Sequence, residues 1–401
     1  MSIFLTVVPV SKAVAAVKSL ARTTGDDRVP LEHAGGRVLS EDIRADGDIP
    51  GFDRSVVDGF AVRASDTIGA GEAIPSILRS RGRVEMGKAD EVQLQTGECI
   101  YVPTGGVLPK GADAVVMVEN SEEVGDEILI KKPVAHGENV LMHNEDFARG
   151  DLVLARGRRL FAQDIGMLAA VGCSTVPVFT TPVIGIISTG NELVPVTEVP
   201  AAGKVRDSNS FMAGAFVQEH GCTPRYYGIV RDDRGAMRET LNLAVAECDA
   251  VLISGGSSKD DRDMTAALIG ELGEVMIHGI AIAPGKPTII GSCSGKPVIG
   301  LPGHPASAFI VLIAIVRHLL DGMTGTAAPV QKTARARLTR NVPSTRGRED
   351  YVRVQLENGA ATPLFGKSGL LNTLVQSNGV IRIPAESEGI EEGELVEVWL
   401  W

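Results

Sequence analysis

The chain has 401 residues, 44% of them hydrophobic and 22% charged, a globular composition long enough for about two to four domains. A formal net charge of −11 excludes an overall basic field for DNA, RNA or an anionic membrane, and 4% aromatics leave few stacking platforms for nucleic acid. Any anionic ligand must therefore be held by a local cluster. The opening MSIFLTVVPVSKAV has no basic segment ahead of its apolar stretch, so no signal peptide is expected. Ser11 is placed as the cap of a first helix, with Val14, Val17 and Ala21 on one face. From about 46 to 138, short β-type runs at 56–62, 92–94, 99–102, 114–118 and 128–130 alternate with Gly, Pro and Asp turns. An inserted β domain over 46–138 is expected. A helix over 163–171 ends at Gly172, and residues 1–45 plus 139–178 are read as an N-terminal mixed α/β linker domain.

Residues 183–187 form a continuous apolar run, the mark of a strand buried on both faces. A helix capped by Ser208 or Asn209 runs to near Gly221, followed by a strand at 226–230, a helix at 238–248, a strand at 250–253 and a helix at 264–272. Pro305 opens a last helix reaching about Leu320. This alternation predicts a doubly wound, mostly parallel α/β sheet domain over 179–328. Its longest apolar run, 306–316, is short of the ~20 residues that span a bilayer, so no membrane segment is expected. Alternating strands at 334–338, 351–355, 380–383 and 395–400 predict a separate C-terminal β-barrel over 329–401. The cysteines Cys99, Cys173, Cys222, Cys248 and Cys293 form no CxxC pair, which reads as reduced thiols in a cytoplasmic protein without zinc.

Ligands of an open parallel sheet sit beyond the carboxyl ends of its strands. Three loops are expected there: Ser188-Thr189-Gly190-Asn191-Glu192, Ser254-Gly255-Gly256-Ser257-Ser258, and Gly300-Leu301-Pro302-Gly303-His304-Pro305. Small residues let their N–H groups face an anion, and the third loop leads into a helix N-terminus. Pro284-Gly285-Lys286-Pro287 adds a stiffly held lysine. No Walker A or GxGxxG string supports ATP or NAD binding. Asp53, Asp58, Glu145, Asp146, Asp232, Asp233, Asp260, Asp261 and Asp263 lie in turn-like segments and supply oxygen ligands of the kind that suit Mg²⁺. Arg346, Arg348 and Arg353 form a candidate anion grip, whereas His143 and His304 lack the Ser or Cys partner of a hydrolytic triad.

These strings, with Pro50-Gly51-Phe52-Asp53-Arg54-Ser55, Asp58-Gly59-Phe60-Ala61-Val62-Arg63, Asp207-Ser208-Asn209-Ser210 and Val230-Arg231-Asp232-Asp233, resemble the molybdopterin molybdenumtransferase family, MoeA and the gephyrin E domain. The resemblance implies insertion of molybdate into adenylyl-molybdopterin, AMP release, help from Mg²⁺ and a homodimer of four-domain subunits. It also allows contact with the molybdopterin adenylyltransferase. It places functional carboxylates on Asp58, Asp146, Glu192, Asp232 and Asp263, a threonine on Thr104 and an arginine on Arg348, with Asp58, Asp232 and Asp263 as metal ligands. Lys286 joins the catalytic set. Substrate contacts are expected from Ser188, Thr189, Gly190, Ser254, Gly255, Gly256, Ser257, Ser258, Lys259, Pro302, Gly303 and His304. Two lysines common in the family fall here on Gly279 and Ala283, leaving Lys259, Arg262 or Lys286 to supply the charge. A carrier of molybdopterin or finished cofactor, or an assembly scaffold, are the other two readings.

Overall fold

The computed structural model describes residues 7–88, 92–255, 259–327 and 331–401. The chain divides into two compact units, one of Met1–Glu41, Arg156–Ala162 and Thr175–Trp401, the other of Asp42–Ala155 and Gln163–Ser174. The first opens with α1 (Val10–Leu20), which buries Val10, Ala13 and Val17. Its N-cap is Pro9, without a side-chain cap bond, so Ser11 lies inside the helix rather than ahead of it. Proline suits this place because it has no N–H to leave unpaired.

The second unit carries β1 (Gly59–Val62), β2 (Ser76–Arg83), β3 (Glu98–Val102), β4 (Ala114–Met117), β5 (Ser121–Val124) and β6 (Glu127–Ile130), in sheet order β4-β1-β3-β2-β6-β5. The sheet curls around Phe60, Val62, Cys99, Ile128 and Ile130 as a half-barrel. Two of its strands differ from expectation. β2 reads SILRSRGR and is mostly exposed, and β5 exposes three of its four residues, so neither advertises an apolar face. The 92–94 run contributes only the isolated bridge Gln93–Lys110. α2 (Ala162–Ala170) lies within a residue of its predicted range.

The first unit then resumes as β7 (Val183–Thr189), α3 (Asn209–Glu219), β8 (Thr223–Val230), α4 (Arg234–Glu247), β9 (Ala250–Gly255), α5 (Lys259–Leu272), β10 (Gly273–His278), β11 (Ile289–Cys293) and β12 (Lys296–Leu301). The sheet order is β8-β7-β9-β12-β11-β10, with β8, β7, β9 and β12 parallel and the last two strands antiparallel. Both faces are covered. Ile184, Ile186 and Leu252 join α1 and α3 in one core, whereas Ile187, Val251 and Ile253 join Met237 and Leu241 of α4 in another. This explains why β7 reads as a continuous apolar run: each fully buried aliphatic side chain contributes about 1.5–3 kcal/mol on whichever face it lands.

α6 (Pro305–Val311), a π turn at Leu312–Val316 and α7 (Arg317–Met323) form one continuous helical run. By length and composition its 19 residues suffice to cross a bilayer, although 78% of its most apolar 18-residue window, mean hydropathy 1.7, is buried in the core. The apolar stretch read from sequence ends at Val316, but the helix does not, because Leu319, Leu320 and Met323 continue its buried face.

The C-terminal strands β13 (Thr333–Leu338), β14 (Glu349–Glu357), β15 (Ala360–Pro363), β16 (Gly379–Ile383) and β17 (Leu395–Leu400) close on themselves. β13 pairs β17, β17 pairs β16, β16 pairs β14, β14 pairs β15, and β15 returns to β13. Val354, Ile381 and Val398 fill this five-stranded barrel. The chain is therefore a multidomain α/β protein with a mostly parallel central sheet, an inserted β domain and a C-terminal β-barrel.

Candidate functional site

The chain leaves β7 for β8 on one side and then crosses to β9 on the other, so β7 and β9 flank a topological switch point, where open α/β sheets bind ligands. Register places Ser188 beside Ser254, Thr189 beside Gly255, and Ser254 beside Leu301. The strand ends from which the three predicted loops start thus lie side by side. Gly255 makes this possible: at φ +152°, an added Cβ would lie 2.1 Å from the Thr189 carbonyl oxygen.

A network of short bonds fixes the loops. Buried Asp207 accepts from the Ser188 and Ser210 hydroxyls, both at 2.6 Å, and from the Ser210 N–H at 3.2 Å, tying β7 to the first turn of α3. Asn209 donates through Nδ2 to the Gly303 carbonyl at 2.8 Å, drawing in the third loop. His304 Nδ1 meets Ser368 Oγ at 2.8 Å, linking that loop to the C-terminal domain.

Between these elements lies a cavity of about 570 Å³ whose lining includes Thr189, Glu192, Ser254, Gly255, Gly303 and His304. Lys204 and Arg206 also line it, and sequence reasoning missed both. Lys204 donates to the Asn191 carbonyl, and Arg206 donates through Nε to the Glu198 carbonyl at 2.9 Å. Their signal was the alternation Lys204-Val205-Arg206 immediately before the Asp207 motif. A cavity with small-residue loop ends and two cations suits an elongated anionic ligand.

Asp232 accepts from the Thr189 hydroxyl at 2.9 Å and from the Asn191 N–H at 2.8 Å, holding the first loop from behind. Its neighbour Asp233 caps α4 by accepting from the Ala236 N–H at 2.8 Å. Ser188 and Pro302 are buried and do not line this cavity, and Gly190 lines another of about 800 Å³. Gly256, Ser257 and Ser258, and the side chains of Lys259, Asp260, Asp261, Arg262 and Asp263, lie outside the described residues. The backbone from Lys259 onward belongs to α5, so Lys259 and Asp263 lie on a helix rather than in the preceding loop.

Lys286 is exposed and does not line the 570 Å³ cavity. The two-residue strand Ile282–Ala283 pairs with Glu349 and Asp350, bringing the Lys286 loop to the end of β14 where Arg348 stands. Arg348 pairs through Nε with Asp350 Oδ1 at 2.9 Å, while Ser344 donates to the other oxygen at 2.7 Å. The anion grip expected of three arginines does not assemble. Arg346 pairs with Glu388, and buried Arg353 donates to Thr373 and the Gly366 carbonyl. Strand pleating and burial separate residues that sequence places together.

In the second unit the Thr104 N–H and hydroxyl donate to Asp58 Oδ1 at 2.8 and 3.2 Å, so these two predicted residues meet. Asp146 is exposed on a turn whose N–H bonds the Ile49 carbonyl. Asp53 and Glu145 instead brace that turn, accepting from the His143 and Met142 N–H groups, and His143 Nε2 lies 3.1 Å from Asp48. Among the described residues no three His, Cys, Asp or Glu side chains gather as a metal-binding group.

Comparison with known proteins matches three segments of the chain. Residues 8–172 match the MoeA N-terminal region (domain I and II), 185–322 a probable molybdopterin binding domain, and 335–401 the MoeA C-terminal region (domain IV). Fold and matches together define a multidomain molybdenum cofactor biosynthesis protein built around a molybdopterin-binding type of α/β domain. A Methanocaldococcus jannaschii protein assigned to molybdopterin biosynthesis is 38% identical over 93% of this chain and 91% of its own. The molybdopterin molybdenumtransferase of Bacillus subtilis is 33% identical over 98% and 94%. The crystal structure of the molybdopterin biosynthesis MoeA protein from Pyrococcus horikoshii superposes with a TM-score of 0.88, at 36% identity, covering 99% of this chain and all of that one. The chain belongs to the MoeA family of molybdopterin molybdenumtransferases.

Proposed function

We propose that the chain is a molybdopterin molybdotransferase that inserts molybdate into adenylyl-molybdopterin and releases AMP, working as a cytoplasmic homodimer. The observation that carries this reading is the 570 Å³ cavity at the switch point, where small-residue strand ends face Lys204 and Arg206. Thr189, Ser254, Gly255, Gly303 and His304 position the pterin-phosphate end. Lys204 and Arg206 balance the anionic charge of molybdate and phosphate, and Lys286 and Arg348 serve the adjoining mouth near β14. Phosphoanhydride cleavage needs positive charge on the departing phosphate. Mg²⁺ fits Asp232, a hard oxygen donor whose carboxylate oxygens each hold one bond, because Mg²⁺ takes one or two carboxylates together with substrate phosphate. Bound there, it would neutralise phosphate charge, and Asp263 is proposed as its second carboxylate. Asp58, Asp146 and Thr104 act on the same ligand, contributed across the dimer. Glu192 orients substrate at the cavity wall, and the adenylyltransferase that makes the substrate delivers it at this mouth.

The test is incubation with adenylyl-molybdopterin, Mg²⁺ and molybdate, following AMP. Stoichiometric AMP supports the reading, and Lys204→Ala or Arg206→Ala should raise the molybdate needed at least tenfold, equivalent to ~1.4 kcal/mol. Ala283, where a family lysine is absent, lines a separate 240 Å³ cavity whose Arg353 is already engaged, which favours a carrier as the second reading. Tight pterin retention without AMP release would establish that one.

A further inference from the structure

A second cavity, of about 340 Å³, lies where α3 and the α6–α7 run meet the last strand of the barrel. Its lining is unusual for a chain with only 4% aromatics, because Phe216, His220, Phe309, Trp399 and Trp401 all face it. The rings brace one another. Phe216 stacks on His220 with centroids 4.2 Å apart, and Phe309 meets Trp401 edge-on at 5.1 Å. Its volume lies within the range of small-molecule pockets, roughly 300–1,000 Å³.

The cavity also holds a cation, Arg317, with one donor left unpaired. Arg317 sits over the Trp399 ring at 5.4 Å, yet its Nε is buried without a hydrogen-bond partner among the described residues. Burial pulls its guanidinium below the ordinary range, against the opposing pull of Asp321 and Tyr351. A buried donor left unpaired costs about 1–3 kcal/mol, a cost that a bound acceptor removes. Lys332 adds a second positive charge at the rim, Glu219 is the one carboxylate in the lining, and buried Asp321, four residues along α7, also acts on Arg317. An uncharged apolar ligand would leave Arg317 unpaired, and a cation would be repelled by both basic groups.

We infer that this cavity binds a planar aromatic carboxylate, its ring held among Phe216, Phe309 and the tryptophans and its carboxylate paired with Arg317. The site is separate from the strand-end cavity and independent of the reaction proposed for it. Recognition follows from a planar guanidinium fork meeting a planar carboxylate while aromatic faces sandwich the ring.

The chain's only tryptophans are Trp399 and Trp401, so tryptophan emission, excited selectively over its four tyrosines, reports on this cavity. The test titrates the full-length protein with 4-nitrobenzoate, a contact quencher of tryptophan, and with its uncharged counterpart 4-nitrobenzamide. The expected result is saturable quenching by the carboxylate, with at least tenfold weaker binding of the amide. Arg317→Gln should weaken the carboxylate at least tenfold and leave the amide unchanged. Should that variant fail to fold, Lys332→Gln, at an exposed rim position, is expected to weaken the carboxylate about two- to threefold. Non-saturating quenching by both probes, or equal affinity for carboxylate and amide in the unaltered protein, would overturn the inference.

Discussion

At Gly255 a single added carbon would meet both a backbone clash and a left-handed backbone. Gly255→Ala would press its Cβ against the Thr189 carbonyl and force a φ of +152° on an L side chain. It is expected to cost at least about 2 kcal/mol, seen as a lower urea midpoint at unchanged slope. Asp207 matters for a different reason. Its buried carboxylate receives three bonds, and Asp207→Asn replaces charge-assisted acceptance with a group that must also place two donors. A loss of about 2 kcal/mol in urea unfolding is the expected outcome, and an unchanged midpoint would show that the network contributes little. Gly255 was legible in sequence as part of a strand-end loop, and Asp207 only as the first residue of a family string ahead of a helix. Their partners were not, since the Ser188–Asp207 contact joins positions 19 apart.

Among the elements, α7 carries a pH-sensitive group. Burial, aided by Arg317 and Lys18, lowers the pKa of His318 to about 4 from an ordinary 6.5. The unfolded chain then binds the proton more readily than the folded one, so stability is retained above 6.5 and falls as pH drops from 6.5 toward 4. His318→Gln should flatten that part of the acid limb in thermal unfolding between those pH values; an identical profile would place the sensitivity elsewhere. Elements with strong apolar patterns, such as β7 and β17, lie close to their predicted ranges because burial on both faces or strict alternation writes itself into sequence. β2, β5 and β15 were not legible. β2 and β5 are largely exposed, and β15 is built of small residues and threonine, so hydrogen bonding to neighbouring strands defines them rather than an apolar period. The start of α5 was likewise read too late, because Lys259-Asp260-Asp261-Arg262-Asp263 looks like a solvated turn.

At the scale of the whole molecule, the proposed sharing of one ligand between Asp58 and Asp263 predicts complementation. Mixing inactive Asp58→Ala and Asp263→Ala chains should restore AMP release toward about a quarter to a half of normal if two subunits build each site, and no recovery would place the site within one chain. What the amino-acid sequence determined by itself was the α/β alternation, the change to β texture on either side of the central sheet, and the motif strings that carry the family. Those properties are local, set by period, turn residues and short spacings. Tertiary structure alone decided that the carboxyl ends of β7 and β9 and the loop after β12 share one cavity, that Lys204 and Arg206 line it, and that Arg346, Arg348 and Arg353 turn to three different partners. Strand order and side-chain direction are not local quantities, because a parallel sheet brings together residues separated by whole crossovers and pleating sends neighbours to opposite faces.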